Sequence, residues 1–213
     1  MSSRSLQSFL MALSPLLLPQ AELLFDPAFL PAAEAEALLA QLTAEVAWEQ
    51  RNIRLFGQEM PQPRLTAWYG DPEARYTYSG LTWEPRPWLP ALHALRQRVE
   101  AATNTRFNSV LLNNYRDGRD SMGWHADNEP ELGPAPAIAS LSLGATRRFR
   151  LRPAAGLAHP PLGLDLPAGS LLLMRGPTQR HWQHALPKTA RPIGPRLNLT
   201  FRWVAATAPS VGQ

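Results

Sequence analysis

From Arg196 to Val204 the sequence alternates without a break, and this run constrains the fold more than any other. In an extended segment successive side chains point to opposite faces. Arg196, Asn198, Thr200 and Arg202 therefore share one face, and Leu197, Leu199, Phe201 and Trp203 share the other. A strand with one apolar face belongs to a sheet packed on a core. The polar face admits two readings, a solvated edge strand or a row of donors turned into a site. Two arginines, an amide and a hydroxyl at two-residue spacing are unusual for a strand that serves structure alone.

The remaining pattern puts helices first and strands after them. Pro31 to Val46 is rich in helix formers, with proline at its start and acids in its first turn. Trp88 to Ala102 carries Leu89, Leu92, Leu95 and Val99 at helical spacing. Beyond Asn104 the period changes to two. Phe107 to Tyr115 ends at the turn Arg116-Asp-Gly118, Ile138 to Leu143 alternates apolar and small polar residues, and Arg147 to Arg152 alternates basic and apolar ones. Ser170 to Met174 is a short apolar run behind a Pro-Ala-Gly turn. Twenty-two prolines and 13 glycines fit short strands and stiff turns better than a helical bundle. The expected class is α+β, mainly β, an antiparallel sandwich flanked by N-terminal helices. Residues 1–45 read as an N-terminal extension with a helix, 46–205 as one domain and 206–213 as a tail.

Cysteine is absent, which excludes disulfides and thiolate metal sites. The apolar stretch Phe9 to Leu18 is interrupted by Ser14 and Pro15 and is too short to cross a membrane. No cleavage site follows it, so the expectation is a monomer in the cytoplasm without membrane contact. From Gly133 onward ten basic residues stand against one acid, Asp165, while residues 1–132 carry a net negative charge. A basic half suits a polyanion such as nucleic acid. Lys188 is the only lysine beside twenty arginines, however, and a compositional bias of the genome would give the same surplus.

Three of the five histidines lie in two short clusters. In Trp124-His-Ala-Asp127, His125 and Asp127 are two apart, and one extended face can offer both to one ion. The second cluster is His181-Trp-Gln-His184, and spacing alone leaves either histidine as the third ligand. Two imidazoles and a carboxylate cover one face of an octahedron and leave three positions open, the ligand set of Fe(II) oxygenases. Such iron chemistry needs a reductant that chelates the metal and carries a carboxylate tail, and a deep arginine is the natural anchor for that tail. Asn113 and Tyr115, again two apart, can add donors just ahead of the iron motif.

With these pieces in place the sequence resembles the AlkB family of Fe(II)- and 2-oxoglutarate-dependent dioxygenases. The matching stretches are Leu112-Asn-Asn-Tyr-Arg-Asp-Gly118, Trp124-His-Ala-Asp127, Ile138-Ala-Ser-Leu-Ser-Leu-Gly144, His181-Trp-Gln-His-Ala-Leu-Pro187 and Pro195-Arg-Leu-Asn-Leu-Thr-Phe-Arg202, in that order, within a resemblance that runs from about Trp48 to Trp203. The resemblance implies a double-stranded β-helix, a jelly roll. It implies iron on His125, Asp127 and His184, and so favours His184 over His181. It assigns 2-oxoglutarate to Asn113, Tyr115, Arg196, Asn198, Thr200 and Arg202. The implied activity is oxidative removal of alkyl groups from bases such as 1-methyladenine and 3-methylcytosine in DNA or RNA. It consumes O2 and 2-oxoglutarate and releases formaldehyde, succinate and CO2.

The N-terminal half looks like the branch with the human double-strand repair members. Tyr76-Thr-Tyr-Ser-Gly-Leu-Thr82 matches a segment that contacts the flipped base, which implies substrate roles for Tyr76, Tyr78 and Ser79. Arg64 sits where that branch has a substrate-side arginine, and Leu55-Phe-Gly57 matches a hairpin whose aromatic, here Phe56, wedges into the duplex. One departure stands out. Asn128 follows the iron carboxylate where the duplex-repair relative has a second acid, and Glu129 beside it can supply the missing charge toward a cationic lesion. The competing readings are the same chemistry on a protein, lipid or other non-nucleic-acid substrate, a damaged-DNA-binding module without turnover, and a zinc hydrolase on the same three ligands.

Overall fold

The computed structural model describes residues 13–55, 58–78 and 81–205. Its helices form where the sequence concentrates helix formers. Helix α1 spans Ala32–Glu45 directly behind Pro31, and α2 spans Pro90–Thr103, with proline at the first turn, where a missing N–H costs nothing. Asn104 ends α2 in the left-handed conformation, with φ 48°. A one-turn helix, α3, spans Thr178–His181.

The strands follow in chain order. β1 (Ser14–Leu16) and β2 (Glu22–Asp26) precede α1. The hairpins β3 (Asn52–Leu55)–β4 (Gln58–Pro61) and β6 (Tyr76–Tyr78)–β7 (Leu81–Trp83) flank β5 (Leu65–Gly70). After α2 come β8 (Ser109–Tyr115), β9 (Met122–His125), β10 (Ile138–Gly144) and β11 (Arg147–Pro153). The series ends with β12 (Leu162–Leu166), β13 (Leu171–Arg175), β14 (Trp182–Leu186) and β15 (Arg196–Arg202).

One sheet runs β1-β2-β13-β10-β15-β8-β5 and a second runs β12-β11-β14-β9, with antiparallel neighbours throughout. From β8 onward the chain passes back and forth between the two sheets, as a jelly roll requires. The expected mainly β sandwich is the observed architecture. β2 and α1, placed by the sequence in an N-terminal extension, are built into it: β2 pairs with β13 in the large sheet and α1 packs on β10.

The period-two pattern sorts residues into layers. Ala139, Leu141 and Leu143 of β10, with Leu197, Leu199 and Phe201 of β15, join Leu42 of α1 and Leu92, Leu95 and Val99 of α2 in one buried cluster. A second cluster fills one end of the space between the sheets, with Ile138, Leu172 and Met174 from the large sheet against Phe149, Leu151 and Trp182 from the small one. Burying one such side chain stabilises the fold by about 1.5–3 kcal/mol. The other end of that space is polar, and the alternate residues of β8, β10 and β15 point into it.

Gly144 closes the corner where β15 enters. It has φ +82°, and a Cβ there would lie 2.4 Å from the carbonyl oxygen of Pro195, so only glycine fits. Trp203 departs from the expected alternation. The strand stops at Arg202 and Trp203 is 52% exposed, because the next residue is clamped instead: Val204 N–H donates to Asn108 Oδ1, and Asn108 Nδ2 donates to the Val204 carbonyl.

Candidate metal and cosubstrate site

β9 ends in His125, and β14 sets His184 directly across from it. The register shifts between His184 and Leu186, a bulge of the kind that re-aims side chains near sites. Asp127, two residues past His125, completes a group whose ligand atoms all lie within 4.8 Å of one another. Among the described residues this is the one cluster of that kind. His181 is outside it, because it ends α3 and the strand that carries His184 begins only at Trp182. The structure thus separates two histidines that spacing left equal.

The surroundings fix the orientation of each group. His125 Nδ1 lies 2.9 Å from the Gly123 carbonyl oxygen, which can only accept, so Nδ1 carries the proton and Nε2 is free to bind a metal. Phe149 stacks on His184 with ring centroids 5.3 Å apart. The Asp127 backbone N–H donates to Gln179 Oε1 over 3.0 Å, and Gln179 is itself buried on α3. Arg202 Nη2 reaches Asp127 Oδ1 at 2.5 Å, and His184 Nε2 lies 3.6 Å from Oδ2. Burial pushes the Asp127 carboxyl up, but the charges of Arg202, His184 and His125 outweigh it and hold the group below the usual carboxylate range. Burial, reinforced by His125, drives His184 down to about 3. Near neutral pH the site therefore presents an anionic carboxylate and a neutral imidazole, the forms a metal ion needs.

This carries a pH prediction. An unfolded histidine protonates near 6.5, while His184 in the fold stays neutral down to about 3. Between those values the unfolded chain binds the extra proton, so the metal-free protein should lose stability as pH falls below about 6.5. The loss expected at pH 5 is roughly 2 kcal/mol. Urea midpoints at pH 7 and pH 5 measure it, and a His184→Gln variant should show a smaller difference. Equal differences in the two proteins would contradict the assignment.

β15 occupies the centre of the large sheet, with Arg196 opposite Tyr115 and Asn198 opposite Asn113 on β8. All six residues expected to hold the cosubstrate line one cavity with the three metal-site residues. They do not play equal parts. Asn198 donates to Ser140 Oγ at 2.7 Å and to the Leu141 carbonyl, and its Oδ1 accepts from Thr200 Oγ1. Both ends of that amide serve the protein. Arg196 donates through Nη2 to Ser142 Oγ and lies 5.4 Å from the Tyr115 ring, while its buried Nε has no partner. Arg202 Nε is likewise buried and unpartnered. Burial lowers Arg196 to about 10, so it remains a cation at neutral pH. Orphaned guanidinium donors at both ends of β15 are costly unless something anionic completes them. A chelating dicarboxylate between a metal on His125, Asp127 and His184 and the guanidinium of Arg196 fits this donor set.

Several contributors were assigned no role from the sequence. Arg147 is 3% exposed and donates to the carbonyls of Asp117, Asp120 and Pro187, bracing Tyr115 from 5.9 Å. Gln179, Ser140 and Ser142 act through partners more than 50 positions away. Of the expected substrate residues, Arg64 lines the cosubstrate cavity. Glu129 lines a wider cavity of about 340 Å³ that shares Leu111 and Arg202 with it, and its buried Oε2 has no partner. Asn128 is exposed and lines neither cavity. Tyr76 and Tyr78 fall on the β6–β7 hairpin, of which only the backbone is described, and Phe56 and Ser79 lie outside the described residues.

A jelly roll with a His-x-Asp pair, a distal histidine and an arginine-bearing central strand defines a class, and the chain belongs to the 2OG-Fe(II) oxygenase superfamily, whose sequence model matches residues 22–202. Members of this superfamily work with Fe(II), 2-oxoglutarate and O2. Within it the chain falls in the AlkB family. It is 47% identical over 191 residues to mouse "Alpha-ketoglutarate-dependent dioxygenase alkB homolog 3", covering 84% of this chain and 64% of that protein, so it spans less than two thirds of that relative's length. It is 42% identical to mouse "DNA oxidative demethylase ALKBH2", covering 82% of this chain and 77% of the relative. The solved structure of OsALKBH1 shares the fold with a TM-score of 0.62 at 16% identity, covering 88% of this chain and 98% of that one.

Proposed function

We propose that this protein is an oxidative demethylase for N-alkylated bases in DNA. The observation that carries the reading is the joint enclosure of His125, Asp127 and His184 with Arg196 and Arg202, whose buried Nε donors have no partner, in one cavity. The relatives, a DNA oxidative demethylase among them, supply the substrate class.

When bound, iron with 2-oxoglutarate and O2 supplies the oxidising chemistry that hydroxylates the N-methyl carbon, after which formaldehyde leaves. The chain's own residues orient and enclose. His125, Asp127 and His184 would hold the metal. Arg196 and the Tyr115 hydroxyl would take the distal carboxylate, and Arg202 would steady both Asp127 and the near end of the cosubstrate. Met122, Phe149, Met174 and Leu186 line the cavity and limit water around the reacting groups. A base within a duplex cannot reach this depth, so it must flip out, at a cost of a few kcal/mol. The Glu129 carboxylate in the adjoining cavity favours a cationic base, as N-alkylated adenine and cytosine are, and it does so without any help from Asn128. Purified protein with iron and 2-oxoglutarate should release formaldehyde from oligonucleotides carrying 1-methyladenine or 3-methylcytosine. No formaldehyde from either lesion in single- or double-stranded form defeats the proposal.

The basic C-terminal half has a physical counterpart that supports a polyanionic partner. Arg148, Arg150 and Arg152 point outward in a row from β11, and Arg152 is held against the Trp124 ring at 4.5 Å and by Gln183. Two-residue spacing on a strand is about 6.6 Å, close to that of neighbouring phosphates along an extended strand. Replacing all three by glutamine should lower the slope of log affinity against log salt for a methylated oligonucleotide by about 2. An unchanged slope places the nucleic acid elsewhere.

A further inference from the structure

An amide side chain has one acceptor oxygen and two donor hydrogens, and the end that faces a cavity decides what it can bind. At Asn113 that choice falls to Arg64. Arg64 is 7% exposed, and its Nε donates to Asn113 Oδ1 over 2.7 Å. Both residues line the cavity of Arg196, Tyr115 and His184. With Oδ1 occupied by a cation, the two Nδ2 hydrogens remain for an oxygen atom in the cavity. Asn198 cannot stand in, because Ser140, Leu141 and Thr200 use its whole amide.

Arg64 is itself held from the backbone. Its N–H donates to the Gln62 carbonyl at 2.8 Å, and the carbonyl of Pro63 accepts from Ser121 N–H at 2.9 Å, one residue before β9. Arg64 directly precedes β5, which places Thr66 opposite Asn113. Among the described residues no carboxylate pairs with Arg64, and burial lowers its pKa against the opposing pull of Tyr115 and Asp120. A buried guanidinium without an ion-pair partner is costly to the fold.

We propose that Arg64 is a positioning residue for the cosubstrate, fixing the Asn113 amide so that its donors face the oxygens of a bound 2-oxo dicarboxylate. This rests on the oxygenase reading above, and it gives Arg64 a role on the cosubstrate side of the site, where the family resemblance put it on the substrate side.

The test is calorimetric titration of 2-oxoglutarate into the Mn(II)-loaded protein, with no turnover involved. Arg64→Met should weaken binding about tenfold, the loss of roughly one charge-assisted hydrogen bond's worth of order at the site. Asn113→Ala should weaken it by a similar factor, and the double variant should bind no worse than Asn113→Ala alone. Arg64→Lys, which keeps a cationic donor, should recover part of the loss. Mn(II) affinity should stay within about twofold in every variant, a result that general damage to the fold would not give. An Arg64→Met protein that binds 2-oxoglutarate within twofold of the parent, or a strictly additive double variant, overturns the positioning role while leaving the oxygenase reading intact. A parent protein that takes up Mn(II) but no 2-oxoglutarate overturns both.

Discussion

Asp127→Ala is expected to reduce turnover below detection and to weaken Mn(II) binding by at least about a hundredfold. Loss of groups that merely support a metal ligand already costs 10–100-fold, and Asp127 is itself the one anionic member of the ligand group. Its removal also leaves Arg202, which sits 2.5 Å from Asp127 Oδ1, as an uncompensated cation facing two imidazoles, and a divalent ion entering there would meet positive charge. Breaking one side of a buried ion pair typically destabilises a protein by about 3–5 kcal/mol, so the metal-free variant should also melt earlier. Asp127→Asn separates the two effects. It keeps the volume and an acceptor oxygen for Arg202, so it should retain more stability than alanine while losing most of the metal affinity. Calorimetry with Mn(II) and thermal melts on both variants give the answer, and an Asp127→Ala protein that still binds the ion tightly would remove the triad from the mechanism.

Arg196→Met should move stability and function in opposite directions. The Arg196 guanidinium is 2% exposed, lies against the Tyr115 ring and leaves its Nε unpartnered, and burial has pulled its pKa down to about 10. Methionine fills similar space without burying a charge. The metal-free variant should therefore be more stable than the parent, by on the order of 1 kcal/mol. Binding of 2-oxoglutarate should weaken by two orders of magnitude or more, since truncating one partner of a buried charged hydrogen bond costs about 2–5 kcal/mol. A variant that is both less stable and unimpaired in binding would show that Arg196 serves the fold and not the cosubstrate.

How much of this was legible in the sequence depends on the distance over which each feature acts. The two faces of β15 could be read directly, because period-two alternation is a local property and both faces are buried for different reasons. His125 and Asp127 were legible for the same reason. His184 was not, until motif order was added, since nothing local announces that α3 ends at His181 and that a strand then begins. Trp203 looked like one more apolar residue in the alternation, and only the distant clamp from Asn108 explains why the strand stops before it. Arg147, Gln179 and the Arg64–Asn113 contact depend on segments that meet only once the two sheets have closed, 49 positions apart in the last case. The alternating arginines of β11 were legible as a pattern, but their outward direction was not.

The central place of β15 has a consequence for time as well as for geometry. Paired with β8 along its whole length and with β10 from Arg196 to Phe201, it is covered by helices on one face and by the small sheet on the other. Such strands sit among the most protected parts of a fold, and their amide hydrogens exchange through global opening. Arg196 and Asn198 should therefore exchange as slowly as the core residue Leu199, over hours or longer. The edge strand β12, paired on one side only, should exchange within seconds to minutes. The ladder that holds Arg196 is thus the part of the molecule least disturbed by opening at the sheet's edges.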